Sequence, residues 1–351
     1  TYHITNTILI YLLIIMNIIQ DCLINKTTKN KPIWLMRQAG RYLPEFRKIR
    51  KINKDFVKLC LNSNLSSTIT LQPIKRFDLD AAIIFSDILM VPYALGQKLK
   101  FEKNKGPILS SFDIDKFINI DEKDFVSDLG PIYSAIKKTR KNLDKNKSLI
   151  SFIGSPWTLV VYMLGLKREK NTIDLNLMCK KRTEINILIE NLNKFLCIHI
   201  KNQIKAGADV VQIFDSWAGL IPSNNLEDYC YKPNAKLVSF SKENKIPTIC
   251  FPKGLKKNYY NFMRAVKPDG LNIDYDISPE WARKNLSGTC IQGGMDPKIL
   301  LSNKKTIVKE AKKYLNVFKD CPYIFNLGHG MLPSIKPKNV ETLVNFVKEY
   351  E

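Results

Sequence analysis

Short apolar runs alternate with longer stretches of helical periodicity from about residue 30 to the end of the chain. Eight runs are typical of buried strands because they are short, apolar and bounded by turn-forming or polar residues. They cover residues 33–36, 81–85, 149–152, 209–214, 246–251, 271–273, 289–292 and 323–325. Helical spacing of apolar residues follows most of them, for example over residues 132–142, 184–206, 306–318 and 339–350. This alternation predicts βα units and a parallel sheet.

Eight βα units predict a single (β/α)8 barrel of the TIM-barrel type, which carries its chemistry at the carboxyl ends of the strands. A doubly wound open sheet is the alternative, but no GxGxxG motif follows the first predicted strand. The sequence contains no repeat of fixed period and no interdomain linker. We therefore expect residues 25–351 to form one α/β domain.

Residues 1–24 carry an apolar run that is too short to span a bilayer. Neither a basic segment before the run nor a small-residue cleavage site after it marks a signal peptide. We expect a poorly packed N-terminal extension, in which residues 1–15 lie upstream of a start at Met16 or form a leader. A genuine signal or transit peptide is the alternative.

The 351 residues carry a formal net charge of +22. This charge raises the possibility of nucleic-acid binding, but the lysines are spread along the chain and no Arg-rich arm, zinc finger or RNA-binding motif accompanies them. The abundance of Lys, Asn and Ile is typical of a coding bias. We expect no nucleic-acid partner and no membrane partner, and a positive field that helps to recruit anionic substrates.

The eight cysteines are scattered without any CxxC pair, and several lie within apolar runs. This usage predicts buried free thiols in a reducing compartment, and we expect the cytoplasm. Only three histidines are present, and the nearest candidates for a metal site are Cys197 and His199. These are two positions apart on a predicted helix and do not share a face, so we expect no metal site.

Two arginines, Arg37 and Arg41, follow the first predicted strand with Gln38 and Gly40 between them. An arginine at the end of a buried strand is costly unless an anion meets it. Two of them beside a glycine are typical of a clamp for carboxylate or phosphate. The alternative is that both pair with internal Asp or Glu side chains.

Polar and small residues also follow the other predicted strands. They are Asp87, Gly154-Ser155-Pro156, Asp215-Ser216, Lys253, Asp274, Gly293-Gly294 and Gly328-His329-Gly330. Their collection at one rim is expected if the strands form a barrel. Each has a structural alternative: Asp87 can cap the next helix, His329 can be a loop residue, and Tyr162 can belong to the core.

Five segments resemble, in order, signature regions of the uroporphyrinogen decarboxylase family. They are residues 32–47, 72–89, 154–159 with Tyr162 close behind, 214–219 and 325–330. The resemblance spans residues 32 to about 345, and residues 1–25 have no counterpart in it. One departure is Gly294, where the family more often has Asn, and we expect it to alter a loop hydrogen bond without changing the reaction.

The resemblance implies a (β/α)8 barrel, a homodimer, and conversion of uroporphyrinogen III to coproporphyrinogen III in porphyrin and haem biosynthesis. Four acetate side chains lose CO₂, and the family uses neither a metal nor an organic cofactor. The substrate carries eight carboxylates, which would give Arg37 and Arg41 their anionic partner.

The resemblance also implies roles for single residues. Asp87 would bind the four pyrrole N–H groups and stabilise a cationic intermediate, because an ionised carboxylate offers about four acceptor sites. Arg37 would clamp the reacting acetate, and its part in proton delivery stays open because a guanidinium pKa lies above about 12. Tyr162, Ser216 and His329 would orient substrate carboxylates.

Two rival functions belong to other classes. A corrinoid-linked or zinc-dependent methyltransferase of the same fold would need a His-x-Cys site with a distant Cys, and no such set follows the predicted strands. A noncatalytic basic binding protein is favoured by the net charge alone.

Overall fold

A curled, parallel sheet of seven strands forms the centre of the protein, whose computed structural model describes residues 17–27, 29–102, 106–168 and 172–350. The strand order is β1-β4-β7-β8-β9-β10-β11. Their bounds are β1 Ala81–Ile83, β4 Ser148–Gly154, β7 Val210–Asp215, β8 Thr248–Pro252, β9 Gly270–Ile273, β10 Cys290–Gly293 and β11 Tyr323–Ile324. The predicted parallel α/β sheet is therefore confirmed for seven of the eight runs. Two small hairpins lie outside it, β2 Leu99–Glu102 with β3 Gly106–Leu109 and β5 Lys167–Arg168 with β6 Thr172–Ile173.

Helices precede and connect the strands. In the first half of the chain they are α1 Ile18–Ile24, α2 Pro44–Ile52, α3 Phe56–Cys60, α4 Ser63–Arg76, α5 Met90–Ala94, α6 Ile114–Ile118, α7 Glu122–Asp128, α8 Gly130–Asn142 and α9 Pro156–Met163. In the second half they are α10 Leu175–Lys180, α11 Arg182–Lys205, α12 Lys232–Glu243, α13 Tyr259–Val266, α14 Pro279–Asn285, α15 Lys304–Val317 and α16 Pro337–Glu349. The four helices predicted from periodicity correspond to α8, α11, α15 and α16. Among the described residues, no helix is long and apolar enough to cross a membrane.

The first predicted strand, residues 33–36, is represented by a single parallel bridge between Ile33 and Phe325, the residue after β11. The Trp34 N–H donates to the Phe325 carbonyl over 3.3 Å. On its other side, the Asp80 N–H donates to the Ile33 carbonyl over 2.9 Å, just before β1 begins. The side chain of Asp80 strengthens this junction, because its Oδ2 accepts from the Ile33 N–H at 2.8 Å and its Oδ1 from Lys348 of α16 at 2.7 Å.

Alternating positions of the strands divide the core in two, as the period of a strand requires. One set forms a small cluster on the inner face of the curled sheet: Ala81, Ile83, Ile150, Val210, Ile249, Phe251, Cys290 and Ile324, with Trp34 and Met36 from the first segment. The intervening positions belong to the larger core that the sheet shares with the surrounding helices. The inner face also holds polar side chains that hydrogen-bond to one another: Gln292 accepts from Trp34 Nε1 at 2.8 Å and donates to Asn272 at 2.8 Å.

Helix α1 covers the amino-terminal side of this inner cluster. Ile19, Cys22 and Leu23 are buried and belong to the same cluster as the inward residues of the strands. The expectation of a poorly packed extension over residues 1–24 therefore needs correction for residues 17–24, because burial of these three side chains fixes the helix. Residues 1–16 lie outside the described residues, and the domain boundary at residue 24 stays a prediction.

Candidate active site

The carboxyl ends of the strands carry the candidate residues, and strand alternation decides which of them face the inner opening. Val210 belongs to the inner cluster and Phe214 packs against it, so Ser216 is the next residue in this series beyond β7. Ile249 and Phe251 are inward in β8, and Lys253 is the next in that series. The two loops adjoin, because the register pairs Asp215 with Pro252.

The turn that carries Arg37 is held tightly although Arg37 itself is exposed. Its φ of 62° lies in the left-handed region, which a residue other than glycine adopts at a cost and mostly where the surroundings impose it. Gln38, fully buried, provides much of that restraint: its Oε1 accepts from the Leu35 N–H at 3.0 Å and its Nε2 donates to the Ala81 carbonyl at 2.9 Å. Asn326 provides the rest, since its Oδ1 accepts from the Met36 N–H at 2.9 Å.

The Arg37 side chain lies directly against Gly330. A Cβ added at Gly330 would be 2.3 Å from Cδ of Arg37 and 2.7 Å from its Cγ. The backbone joins the two loops nearby, because the Met331 N–H donates to the Met36 carbonyl at 3.0 Å. The absence of a side chain at Gly330 therefore allows the observed course of the guanidinium.

Asp87 follows β1 and has one oxygen engaged within the chain. Oδ1 accepts from the Leu89 N–H at 2.9 Å and so stabilises the turn that precedes α5. Because α5 has no side-chain cap, the alternative that Asp87 caps the next helix is wrong. Within the described ranges, no hydrogen bond or ion pair reaches Oδ2. Burial raises the pKa of Asp87 to about 6, although the Leu89 N–H and the charge of Arg37 act to lower it. The carboxylate is therefore mostly ionised at neutral pH and has an acceptor to offer.

Electrostatic interactions place Arg37, Asp87, Tyr162 and His329 around one space. The charge of Arg37 acts on the pKa of each of the other three. Burial raises the pKa of Tyr162, and the charge of Asp87 adds to that rise while Arg37 opposes it. The influence of one charge on the other groups supports a common location for four of the six predicted site residues.

His329 is partly buried, and its Nδ1 is buried without a hydrogen-bond partner in the described part of the chain. Burial, followed by the positive charges of Lys253 and Arg37, lowers the pKa of His329 to about 4. The imidazole is therefore neutral at physiological pH, and it faces two cations. The expectation of a satisfied loop histidine does not fit this environment, because a ring nitrogen remains available.

Aromatic rings border the space on its inner side. The Phe152 and Phe214 rings meet edge to face, with centroids 5.7 Å apart, and both are partly exposed above the inner cluster. The partly buried Tyr162 ring packs edge to face on Trp217 at 5.9 Å, and both rings lie against the larger core, at its edge. A ligand with flat apolar rings and charged side chains matches such a surface.

Asp215 and Ser216 have different surroundings despite being adjacent. Asp215 is buried and accepts hydrogen bonds from Thr158 Oγ1 at 2.7 Å and from Asn234 at 3.3 Å, which assigns it to a structural network behind the site. Burial raises the pKa of Asp215, and the hydrogen bond from Thr158 opposes that rise. Ser216 is partly exposed in the turn that follows. It therefore reaches the rim while Asp215 holds the turn in place.

Arg41 is exposed in the turn before α2. In the described ranges, no hydrogen bond or ion pair joins its side chain to another candidate residue, so its place in the site rests on its position in the chain. Arg47 fixes the turn, because its guanidinium donates to the carbonyls of Arg41 and Tyr42 at 3.0 and 2.9 Å.

The sequence analysis gave no role to several supporting residues: Gln38 and Asn326, which hold the Arg37 turn, Phe152 and Phe214, which form the inner border, and Lys253, which it placed at the rim without a function. The inward parity of β4, β7 and β8 is the signal that would have found the last three. The hydrogen bond from Gln38 to Ala81 joins residues 43 positions apart, and that from Met36 to Asn326 joins residues 290 positions apart. No local sequence pattern indicates such pairs.

The histidine considered for a metal site, His199, is part of the core. Its Nδ1 lies 2.9 Å from the Tyr133 hydroxyl and its Nε2 lies 2.9 Å from Gln203 Nε2. Burial lowers the pKa of His199 to about 3. Among the described residues, no group of three or more His, Cys, Asp or Glu side chains is placed to hold a metal ion.

Comparison with known proteins identifies one family over nearly the whole chain. A family model described as uroporphyrinogen decarboxylase (URO-D) matches residues 17–350. A protein of Rickettsia bellii named uroporphyrinogen decarboxylase is 40% identical over 331 residues, which cover 93% of this chain and 97% of that protein. One of the same name from Orientia tsutsugamushi is 40% identical over 337 residues, covering 93% and 96%.

Among solved structures, a methyltransferase from Methanosarcina mazei superposes with a TM-score of 0.76 at 16% sequence identity. The match covers 95% of this chain and 97% of that one. At this identity the likeness supports the fold and not the reaction.

Gly330→Ala should impair the site while leaving the fold intact. The new methyl group would overlap the Arg37 side chain, which is exposed and can move at little cost in stability. We expect roughly 10- to 100-fold slower turnover of uroporphyrinogen III, the substrate that the resemblance implies, because small misplacements of a catalytic group have effects of this size. The free energy of unfolding should change by less than about 1 kcal/mol.

Gly130→Ala is the matched control, because an added Cβ there would meet nothing within 4 Å. It should leave both turnover and stability unchanged. Full activity of Gly330→Ala would contradict the close packing of Arg37 on Gly330.

Asp87→Asn should stabilise the ligand-free protein at neutral pH. The pKa of Asp87 is about 6 in the folded chain against an ordinary value of 3.8, so the folded state binds more protons between these pH values. Its free energy of unfolding therefore falls as the pH rises from about 4 to about 6, and stays lower above that range. Asp87→Asn has no ionised carboxylate at this position, so its free energy of unfolding should be higher than that of the parent by about 1–3 kcal/mol near pH 7.5.

Urea unfolding followed by circular dichroism measures this difference, and repeating it near pH 4.5 provides an internal control. There the difference should fall to about a third of its value at pH 7.5, because this pH lies between the ordinary pKa of 3.8 and the folded pKa of about 6. A difference that does not depend on pH would argue against a destabilising ionised Asp87.

Proposed function

The chain belongs to the uroporphyrinogen decarboxylase family and is a decarboxylase of porphyrin biosynthesis, and we propose that Asp87 and Arg37 carry its reaction. The substrate is uroporphyrinogen III and the product coproporphyrinogen III. The observation that carries the proposal is a carboxylate with one open oxygen, Asp87, facing the guanidinium of Arg37 above an aromatic border. The methyltransferase alternative is not favoured, since it rests on a fold likeness at 16% identity.

The charges at this end of the sheet complement the substrate. Uroporphyrinogen carries eight carboxylates at its edge and four pyrrole N–H groups at its centre. Arg37 and Arg41 are exposed cations at the rim, and the carboxylate of Asp87 lies further in. The net charge of +22 adds a long-range attraction for a polyanion. Edge carboxylates would meet the arginines while the N–H groups meet Asp87.

Loss of CO₂ from an acetate needs a place for the electrons of the breaking bond. A proton adds to the ring carbon next to nitrogen and makes an iminium-like cation. The C–C bond to the carboxylate then breaks, CO₂ leaves, and the electron pair enters the ring to give an exocyclic methylene. Protonation of the methylene and loss of the ring proton restore a pyrrole with a methyl group. Each complete decarboxylation of one acetate therefore consumes one proton overall.

Asp87 supports these steps by charge. Its open oxygen would accept hydrogen bonds from pyrrole N–H groups, and its negative charge would stabilise the cation that forms on the ring. With a pKa of about 6, Asp87 is mostly ionised at neutral pH, as this role requires. Charge placed where the transition state develops charge is among the larger contributions to catalysis.

Arg37 would hold the reacting acetate, because its planar guanidinium matches a carboxylate. The identity of the proton donor stays open between Arg37 and another group. We further propose that Arg41, Tyr162, Ser216 and His329 orient the other carboxylates. Tyr162 and His329 face the same space as Arg37, and Ser216 follows the inward series of β7.

We also propose that residues 33–36 act as the eighth strand and close the sheet into a (β/α)8 barrel. Ile33 bridges Phe325 on one side and bonds to Asp80, next to β1, on the other. These contacts supply the two neighbours that a closing strand needs. Closure matters for the reaction because it brings the Arg37 turn beside Asp87.

The family resemblance further supports a homodimer, and we propose that the second copy covers the loops after β8, β9 and β10. Three exposed large hydrophobic side chains lie in or next to these loops, Tyr260 in the first turn of α13, Tyr275 after β9 and Leu301 before α15, with 40%, 38% and 49% of their surface accessible. Light scattering should give about twice the mass of one chain. A monomer mass at micromolar concentration would contradict this arrangement.

An anaerobic assay with uroporphyrinogen III, with porphyrins separated by chromatography after oxidation, tests the function. The parent should release coproporphyrinogen III. Arg37→Lys should be roughly 10- to 100-fold slower, because a point charge does not replace a planar fork. Asp87→Asn should lose roughly 100-fold or more, since the neutral amide cannot stabilise the cation.

Arg76→Lys is the matched control, because Arg76 forms a surface ion pair with Glu45 away from the site. It should retain the parent's rate. Near-normal turnover by Asp87→Asn would rule out the electrostatic argument, and absence of product from the parent would contradict the function itself.

A further inference from the structure

We propose that Lys253 is a further substrate-binding residue, which holds a non-reacting carboxylate of the substrate between its ammonium group and His329. This inference rests on the proposed function, since it assigns an additional contact within the same site. Its support comes from the position of Lys253, the rigidity of its loop and the charges around it.

Lys253 is placed at the rim by β8. Ile249 and Phe251 point to the inner cluster, and Lys253 continues that alternation one step beyond the strand. Its N–H donates to the Asp215 carbonyl at 3.1 Å, which sets it beside the turn that carries Ser216. The lysine is half-buried, so its aliphatic part is enclosed while its ammonium group can reach a ligand.

The loop around Lys253 is fastened on both sides. The Gly219 N–H donates to the Lys253 carbonyl at 2.9 Å. The next residue, Gly254, has a φ of 83° and donates its N–H to Asp274 Oδ2 at 2.7 Å. Tyr259 also donates to that oxygen, at 3.0 Å. Because the backbone of this loop is already fixed, little further backbone entropy is lost when Lys253 binds a ligand.

The two glycines in contact show how tight this arrangement is. A Cβ added at Gly219 would lie 2.6 Å from the Gly254 carbonyl oxygen. The loops after β7 and β8 therefore meet backbone to backbone, and Ser216 and Lys253 are carried at a fixed separation. Such precise support is expected for a binding group rather than for a solvated surface lysine.

The charges around His329 leave room for an anion. Lys253 and Arg37 both act on the His329 ring, and no acidic side chain is among the groups that do. In the described part of the chain, no carboxylate forms an ion pair with Lys253. His329 Nδ1 is buried and unpartnered. A carboxylate in this position would gain an ammonium partner and an imidazole partner, and would separate two like charges.

Arg37 and Lys253 are carried by different parts of the sheet, which indicates the kind of carboxylate that each can meet. Arg37 follows the first segment, whose Ile33 carbonyl accepts from the Asp80 N–H just before β1, the strand that leads to Asp87. Lys253 follows β8, which β4 and β7 separate from β1, so it is set apart from Asp87 along the rim. Every pyrrole of the substrate carries one acetate and one propionate, and only the acetates react. The propionate of the reacting ring would then occupy the Lys253–His329 position while its acetate meets Arg37.

Steady-state kinetics of Lys253→Met with uroporphyrinogen III tests this assignment. A group that binds a non-reacting carboxylate contributes equally to ground state and transition state, so its loss raises KM and leaves kcat nearly unchanged. We expect KM to rise roughly 10-fold, as for loss of one charge-assisted hydrogen bond, and kcat to stay within about 3-fold. Lys253→Arg should recover most of the loss.

Lys137→Met is the matched control, because it removes one exposed positive charge from α8, on a different part of the surface. It should leave KM unchanged, which separates a contact from general attraction of the polyanion. If Lys253→Met does not fold, Lys253→Gln provides the same comparison with a polar end group.

A second measurement does not depend on turnover. Nuclear magnetic resonance titration of His329 in the ligand-free protein, assigned with His329→Gln, should show a higher pKa in Lys253→Met than in the parent and no change in Lys137→Met. The direction follows from removal of a positive charge beside the imidazole.

An active Lys253→Met with the KM of the parent, or an unchanged His329 pKa, would overturn the assignment while leaving the decarboxylase function in place. A loss confined to kcat would also overturn it, because that result would place Lys253 at the reacting group. Failure of the parent itself to decarboxylate uroporphyrinogen III would instead contradict the proposed function.

Discussion

A carboxylate that the fold satisfies only in part is the feature on which the site depends. Asp87 gives one oxygen to the Leu89 N–H and leaves the other open, in surroundings that raise its pKa to about 6. The protein stabilises this charge incompletely, so a ligand that brings hydrogen-bond donors or positive charge restores what burial removed. Four pyrrole N–H groups, and the cation that forms on protonation, supply both. Substrate binding and stabilisation of the cationic intermediate thus depend on the same incompletely satisfied carboxylate, Asp87.

The groups at the rim, in contrast to Asp87, are suited to bind negative charge. Arg37 is kept in a left-handed turn by Gln38 and Asn326, and its side chain passes over Gly330. Neutral His329 keeps an unpartnered nitrogen beside it. Neither of these two rim groups is an anion, and a polycarboxylate ligand supplies the negative charge. The fold therefore prepares the site for a molecule that is cation-forming at its centre and anionic at its edge.

The sequence was sufficient for most of the parallel α/β sheet because strand and helix periods are local, but the first predicted strand is represented only by the Ile33–Phe325 bridge. Seven predicted strands and four predicted helices were found close to their expected bounds. It was insufficient for α1, where Ile19 and Leu23 are buried only because a distant inner cluster receives them. It also listed Asp215 and Ser216 together, and only the structure separates a buried network member from a rim residue. Long-range hydrogen bonds and burial, which no short pattern encodes, made these differences.

The most direct test of the central claim is the structure of the protein with coproporphyrinogen III bound, determined under anaerobic conditions. The account predicts that the carboxylate of Asp87 lies within hydrogen-bond distance, about 2.7–3.2 Å, of the pyrrole nitrogens. It also predicts that the carboxylates of the ligand lie toward Arg37 and the rim. A macrocycle bound with its nitrogens turned away from Asp87, or an Asp87 side chain directed out of the opening, would contradict it.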